Sequence, residues 1–563
     1  MVERPAAAGP SPIACDECRQ KHLKCDAAVP ACGRCHLHRL ACTYTASRRG
    51  RARRSRPPQG VLPSPQDTTS TGTNGSVAQG GANIGDGTAA LLNAMPTIPT
   101  TSLSRVLPET DREYLINLFY LRFYAAHPVI VPRAFYAAQA YPEYLDLVIC
   151  FIGHHFGSPI SAASALCEAV YASMAKDDDQ TVPRIQALTM FAIILHARHQ
   201  LKEAEQCVAR AVKVALAIGV NRPGFAKEHA AGQQVAEESI RRTWWELYIV
   251  DVCIAALHHR SSSETKDVQV HPLLPCAQVA FEAGRCDPFP PTLKAFEERV
   301  FALDNLLEFS SYCYRIEAVR ILDRVVALTN ADNADPDSVQ AVDNALASWK
   351  FTLPPTQPDV ISLSGEVDEM LFQAHCFVYC ASMLLHFSRS DLPAKVPSPA
   401  NITCLQANAR LIPTSTQHTV KTIAASKGLS DLAAVPWPLD KHSPLFICGL
   451  ILGCVVQLAA ASTHQHQCGL SCLQQHRDRV VLMFSALKSL GEKWAIAQNA
   501  VSYLKGVAEN VFSVRVEGEP GAIQGQESQI DFDGSSQFQD VTGVPWLNLF
   551  AMSGFLDEEF GGI

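Results

Sequence analysis

The chain has 563 residues, of which 47% are apolar and 18% charged. That apolar content excludes a wholly disordered polymer, and the length calls for roughly three to four folded units rather than one core. The net charge of −8 hides an asymmetry: residues 1–60 hold 12 Lys/Arg against 4 Asp/Glu, whereas nine acids and no base follow Arg515. A basic head and an acidic tail predict two different partners, the head favouring a polyanion.

Residues 1–14 read as disordered, with an early acid (Glu3) and no apolar stretch, so no secretory leader is expected. The 20 cysteines are then expected in a reducing compartment, as thiols or metal ligands. Six of them fall within residues 15–42. Cys15, Cys18 and Cys25 have the spacing C-x2-C-x6-C, and Cys32, Cys35 and Cys42 repeat it 17 residues later. Structural zinc takes four ligands, and each half offers three. One zinc on Cys15, Cys18, Cys32 and Cys35 would leave Cys25 and Cys42 unused. Two zincs are satisfied by six cysteines if two thiolates bridge, and the symmetric duplication favours that solution. Each half is predicted as a short helix after its CxxC and an extended return to its third cysteine. So small a unit has almost no core, and the metal supplies its folding free energy.

Residues 43–107 form a basic run followed by a linker. Arg48, Arg49, Arg51, Arg53, Arg54 and Arg56 are candidates for nuclear import and for a nonspecific DNA arm. From Pro57 to Ser104 the Gly, Ser, Thr, Pro, Gln and Asn content reads as flexible. No heptads announce a coiled coil, so monomer and homodimer both stay open.

Over 108–512 the pattern is helical, and an all-α domain is predicted. Glu109 to Ala126 gives a face of Tyr114, Leu118, Leu121 and Ala125. Pro183 to His199 and Leu201 to Ile218 read as an antiparallel pair, with Pro183 at a helix start and Gly219 at an end. Further helices are expected over Ala236–His259, Leu293–Thr329, Ser338–Trp349, Val367–Phe387, Pro444–Ala461 and Arg477–Leu504. Trp244, Trp245 and Tyr248 are predicted core anchors. Asp251 is expected to pair with Arg241 or Arg242. The apolar run Leu445–Ala461 has 17 residues and contains Gln457, short of the ~20 that span a bilayer, so it reads as a core helix and no membrane partner is expected. His464, His466, Cys468, Cys472 and His476 have metal-like spacing but read as a loop between helices. The chain lacks GxGxxG, P-loop, GxSxG and HExxH motifs, and no catalytic residues are expected. Residues 513–563 mix acids with Phe532, Phe538, Trp546, Leu547, Phe550, Phe555 and Phe560, the composition of a disordered activation tail.

The head, Cys15-Asp16-Glu17-Cys18-Arg19-Gln20-Lys21-His22-Leu23-Lys24-Cys25 with Pro30-Ala31-Cys32-Gly33-Arg34-Cys35 and Cys42, resembles the fungal Zn2Cys6 binuclear-cluster transcription factors. The resemblance implies two Zn2+ ions, with Cys15 and Cys32 as bridging thiolates and Pro30 shaping the loop between the halves. It also implies reading of CGG triplets in double-stranded DNA from the major groove, with Lys21 and His22 at the base-reading positions. His22 departs from the usual Lys or Arg, and a neutral imidazole donates one hydrogen bond. Arg19, Lys24, Arg34 and Arg39 are candidates for phosphate contacts. Arg241-Arg242-Thr243-Trp244-Trp245, Leu346-Ala347-Ser348-Trp349 with Leu353-Pro354, and Leu487 to Trp494 resemble the fungal-specific regulatory domain that accompanies such clusters, in which no metal is expected. The family implies a nuclear, sequence-specific regulator, an activator by its tail, which would recruit transcription machinery or a coactivator. Control of one pathway, such as a secondary-metabolite gene cluster, is the layout's further implication. The rival classes are a zinc-dependent adaptor and a metabolite-binding protein that does not read promoters.

Overall fold

Helix-forming sequence dominates from residue 109 onward, and the computed structural model of the chain shows how it packs. It describes Cys18, Lys21, Cys25, Cys32, Cys35 and Cys42 of the head, and residues 106–176, 179–301, 308–329, 334–353, 360–362, 365–392, 415–464 and 470–513. The chain divides into two compact units, Met1–Pro96 and Thr97–Ile563. Among the described residues the second unit is helical, with no strand and one isolated antiparallel bridge between Ile361 and Val367.

Its first helices are α1 (Glu109–Arg122), the single turn α2 (Arg133–Tyr136), α3 (Glu143–His154) and α4 (Ala163–Ala175). α1 buries Leu115, Ile116 and Phe119 and leaves Tyr114 and Leu121 exposed, so the predicted face was wrong. The reason lies on α3. A Cβ on Gly153 would stand 2.0 Å from the Leu115 carbonyl oxygen. Only glycine permits so close an approach, and that contact sets which side of α1 faces inward.

Next come α5 (Val182–Ala197) and α6 (Leu201–Ile218), which pack together as predicted. The Thr181 hydroxyl accepts from the Arg184 amide and Pro183 sits in the first turn of α5. Gly219, at φ 82°, ends α6 in the left-handed conformation. The single turn α7 (Phe225–His229) leads to α8 (Gln234–Leu257), the longest of the described helices and buried on nearly every face. It packs against α5, α6 and α11 (Ser311–Thr329), which lie around it.

Between them lie the short helices α9 (Gln278–Glu282) and α10 (Leu293–Glu298). The predicted continuous helix from Leu293 to Thr329 is therefore broken. After α10 a tight turn at Arg299–Phe301 follows, where the Arg299 guanidinium lies 3.7 Å over the Phe296 ring and donates to the Phe296 carbonyl. The Phe296 carbonyl at the helix end is taken by the Arg299 backbone amide and side chain together.

The remaining helices are α12 (Pro336–Trp349), α13 (Glu369–Phe387), α14 (Ser415–Ala433), α15 (Phe446–His464), α16 (Leu470–Gly491) and α17 (Ala495–Ser513). Sequence reading missed α3, α4 and α14 and fused the last two helices. α16 ends at Gly491 and α17 begins at Ala495, with the Lys493 and Trp494 amides donating to the Leu490 carbonyl at 3.1 and 3.0 Å across the turn. α15 is long and apolar enough to cross a membrane, yet 89% of its apolar window is buried inside the protein, as expected for a core helix. The core is continuous from α1 to α17. His155 at the end of α3 stacks on Trp494 at 5.3 Å, and Asp440 bridges Arg122 and Lys493 at 2.9 Å each.

Candidate metal centre and buried charge core

In the head, Cys18 and Cys35 are helical and occupy equivalent positions of the two repeats, each as the second cysteine of its CxxC. Their sulfurs and that of Cys32 lie within 4.8 Å of one another, and all three residues are fully buried. Cys25 and Cys42 pack against them. The cluster therefore joins the two halves, since Cys18 comes from the first and Cys32 and Cys35 from the second.

Cys18 Sγ and Cys32 Sγ stand 3.8 Å apart, far beyond the ~2.05 Å of a disulfide. Two thiolates on one tetrahedral zinc at ~2.3 Å would be about 3.8 Å apart. Backbone amides point at the sulfurs: Cys35 N donates to Cys32 Sγ at 3.4 Å, and Cys32 N to Cys42 Sγ at 3.2 Å. Such donors stabilise thiolate over thiol. The donor set thus fits zinc in chemistry, spacing and solvent exclusion. Lys21, one position of the predicted base-reading pair, is exposed. Cys15, Arg19, His22, Lys24, Arg34, Arg39 and Arg48 to Arg56 lie outside the described residues, as do the linker and the acidic tail.

The helical unit holds a buried charge core that sequence reading did not single out. Glu246 of α8 is fully buried and accepts four hydrogen bonds. They come from His127 Nδ1 at 2.6 Å, Tyr312 Oη at 2.6 Å, and Arg315 Nη1 and Nη2 at 2.7 and 2.9 Å. Burial pushes the Glu246 pKa up, but Arg315 and His127 outweigh it and hold the carboxyl well below its usual range. His127 Nε2 meets Ser443 Oγ at 2.9 Å. Glu369 extends the core, accepting from His442 at 2.7 Å and Gln373 at 2.9 Å. One sequence signal marks the centre: an acid, Glu246, inside the otherwise apolar run 244–250.

Asp251 does not pair with Arg241 or Arg242. It accepts from the Glu264 amide at 3.0 Å and from the Thr265 amide and hydroxyl at 2.8 and 2.7 Å, tying down the chain beyond α8. Nine or ten residues of helix separate it from the arginines, about 14–15 Å along the axis. Arg241 instead pairs with Glu237 and Glu238, and Arg242 with Glu238 at 2.8 Å. Trp244 and Trp245 are core anchors as predicted, fully buried with their indole N–H groups donating to His271 Nδ1 and the Leu273 carbonyl.

The second metal-like cluster is not a loop where it is described. Cys472 and His476 lie on α16, one turn apart, with Cys472 Sγ 3.7 Å from His476 Nε2. His476 Nδ1 is bonded to Gln457 Oε1 on α15 at 2.7 Å, so this ring ties two helices together. His466 and Cys468 lie outside the described residues.

Residues 13–51 match the model of the fungal Zn(2)-Cys(6) binuclear cluster domain, and residues 116–294 that of the fungal specific transcription factor domain. The chain is similar to the C6 finger domain transcription factor iacK of Pestalotiopsis fici. The two are 29% identical over 557 residues, covering 90% of this chain and 82% of the relative. No solved structure matches the chain.

Proposed function

We propose, from the chain's membership of the fungal Zn2Cys6 transcription factors, that it reads CGG-like triplets and activates the genes of one pathway. The family premise makes it a DNA-binding regulator whose cluster holds two zinc ions. Cys18, Cys25, Cys32, Cys35, Cys42 and Cys15 are the ligands in this reading, with Cys15 and Cys32 bridging. The observation that carries it is the convergence of three buried sulfurs from both halves of the duplicated motif. Zinc supplies the cross-link that a unit without a core needs. Lys21 and His22 then face base edges, while Arg19, Lys24, Arg34 and Arg39 hold phosphates. A DNA-reading regulator of this family works in the nucleus, with Arg48 to Arg56 as the import segment. Residues 15–42, 43–107, 108–512 and 513–563 serve as reader, linker, regulatory domain and activation tail.

The test is occupancy of the full-length protein on its own cell's chromatin, paired with duplex titrations. Peaks over CGG-like sites at promoters of one contiguous gene block are expected, as for a regulator of a secondary-metabolite cluster. Paired sites at fixed spacing would report a homodimer. Affinity should fall steeply with salt, and Lys21→Ala should cost about 1–3 kcal/mol of discrimination against mismatched triplets. An equal loss on every sequence would make Lys21 a phosphate contact, and salt-independent binding would return the head to an adaptor.

Deleting residues 516–563 should leave duplex affinity unchanged and remove most reporter output. Undiminished output would take the activation role away from the tail.

A further inference from the structure

Between α8 and α10 the chain makes a closed strap around α9. The Leu274 amide donates to the Pro291 carbonyl at 2.8 Å and holds the two ends of the strap together. The first limb is fastened to α8. Cys276 N donates to the buried Glu238 Oε1 at 2.9 Å, and Arg242 Nη2 donates to the Cys276 carbonyl at 2.9 Å. A second Arg242 nitrogen, Nη1, holds Gln278 at the start of α9 at 2.5 Å. The chain then reverses. Gly284 takes the left-handed conformation at φ 67°, and the Arg285 amide donates to the Ala280 carbonyl at 2.9 Å. This reversal returns Cys286 to Cys276, ten residues earlier, and the two thiols are hydrogen-bonded to each other.

The pair differs from the other cysteines of the helical unit in its surroundings. Burial pushes the Cys150 and Cys313 thiols up to about 12 and Cys207 to about 11, so these stay protonated and inert. Cys286 moves the other way. The hydrogen bond from Cys276 holds it below its ordinary value against burial and Glu238, and Arg242 and Arg241 add to the effect. Cys276 is half-buried and Cys286 keeps 6% exposure, enough for an oxidant hardly larger than water. A thiolate with a second thiol in contact is the arrangement that oxidises to a disulfide and not beyond.

We propose that Cys276 and Cys286 form a redox-modification site, which a hydroperoxide oxidises to a reversible disulfide across α9. The Cys286 thiolate attacks one peroxide oxygen, the O–O bond breaks, and the hydroxide that leaves takes the proton of Cys276. The Cys276 thiolate then attacks the sulfenic sulfur of Cys286. The S–S bond forms, the S–O bond breaks, and the second hydroxide is protonated from solvent. Two thiols and one hydrogen peroxide give one disulfide and two waters, with two electrons passing from sulfur to oxygen. The modification stands apart from DNA reading, whose cysteines belong to the other unit.

The test treats the full-length protein with graded hydrogen peroxide, alkylates the remaining thiols and digests with trypsin without reduction. Cleavage after Lys266, Arg285 and Lys294 puts Cys276 on peptide 267–285 and Cys286 on peptide 286–294, with no other cysteine on either. The comparison pair is Cys376 and Cys380, only four residues apart, which sequence proximity alone would favour. Mass spectrometry should find the two peptides joined, at least about tenfold above the Cys376–Cys380 disulfide, and dithiothreitol should separate them. Urea added before the peroxide should erase that preference. In the Cys276→Ser protein Cys286 lacks its resolving thiol and should accumulate oxygen as the sulfinic acid. Should that variant fail to fold, the unmodified protein still decides. No joined peptides, a link no more abundant than Cys376–Cys380, or the same preference in urea would overturn the proposal, and a Cys286 left as thiol in a folded Cys276→Ser protein would overturn its role as the attacking sulfur.

Discussion

Cys32→Ala is expected to abolish specific DNA binding and to strip the head of its metal. Cys32 Sγ stands 3.8 Å from Cys18 Sγ and receives the Cys35 amide, at the point where the two halves meet. The apparent free energy of structural zinc, about 10–16 kcal/mol, exceeds anything so short a unit can bury. Its loss therefore unfolds the head instead of weakening it. Metal content by mass spectrometry and duplex affinity by anisotropy should fall together, and chelation of the unmodified protein should reproduce both losses until zinc is returned. Cys454→Ala is the control, a thiol buried in α15, and should leave both readouts intact. A Cys32→Ala protein that keeps two zincs and its sequence preference would contradict the bridging assignment.

What the sequence made legible follows from where each signal resides. The duplicated cysteine spacing is a matter of ligand counting, so the metal centre could be read without any fold. Local helix signals were equally readable: Pro183 at the start of α5 and Gly219 at the end of α6. Choices made by a distant partner were not. The buried face of α1 depends on Gly153 of α3. Partner assignment for buried charges failed for the same reason. Asp251 shares a helix with Arg241 and Arg242, but its partners come from the turn at 264–265. Glu246 meets Arg315 from 69 residues away and His127 from 119, separations at which no local pattern constrains pairing.

That buried centre gives the largest expected effect in the helical unit. Glu246→Gln should destabilise it by about 3–5 kcal/mol, because Arg315 is left fully buried without its counter-charge. Urea unfolding followed by fluorescence of the buried Trp244, Trp245, Trp349 and Trp494 would measure it. The double change Glu246→Gln with Arg315→Met should recover much of the loss, since it removes the stranded charge together with its partner. A double variant as unstable as the sum of the two singles would mean that the pair does not act as a unit. The pH dependence has a definite sign. The folded carboxyl titrates below its ordinary value of 4.5, so its contribution is complete above that value and is withdrawn as the pH falls through the lower folded one. Buried histidines act over the range just above. Burial, helped by nearby Arg198, holds His155 down to about 4, and burial with Arg320 does the same to His271, against an ordinary 6.5. Unfolding then takes up protons between about 6.5 and 4, so stability drops as the pH is lowered across that window. Acid should loosen the unit first through its histidines and then through Glu246. In the Glu246→Gln protein the upper step should persist and the lower one should shrink.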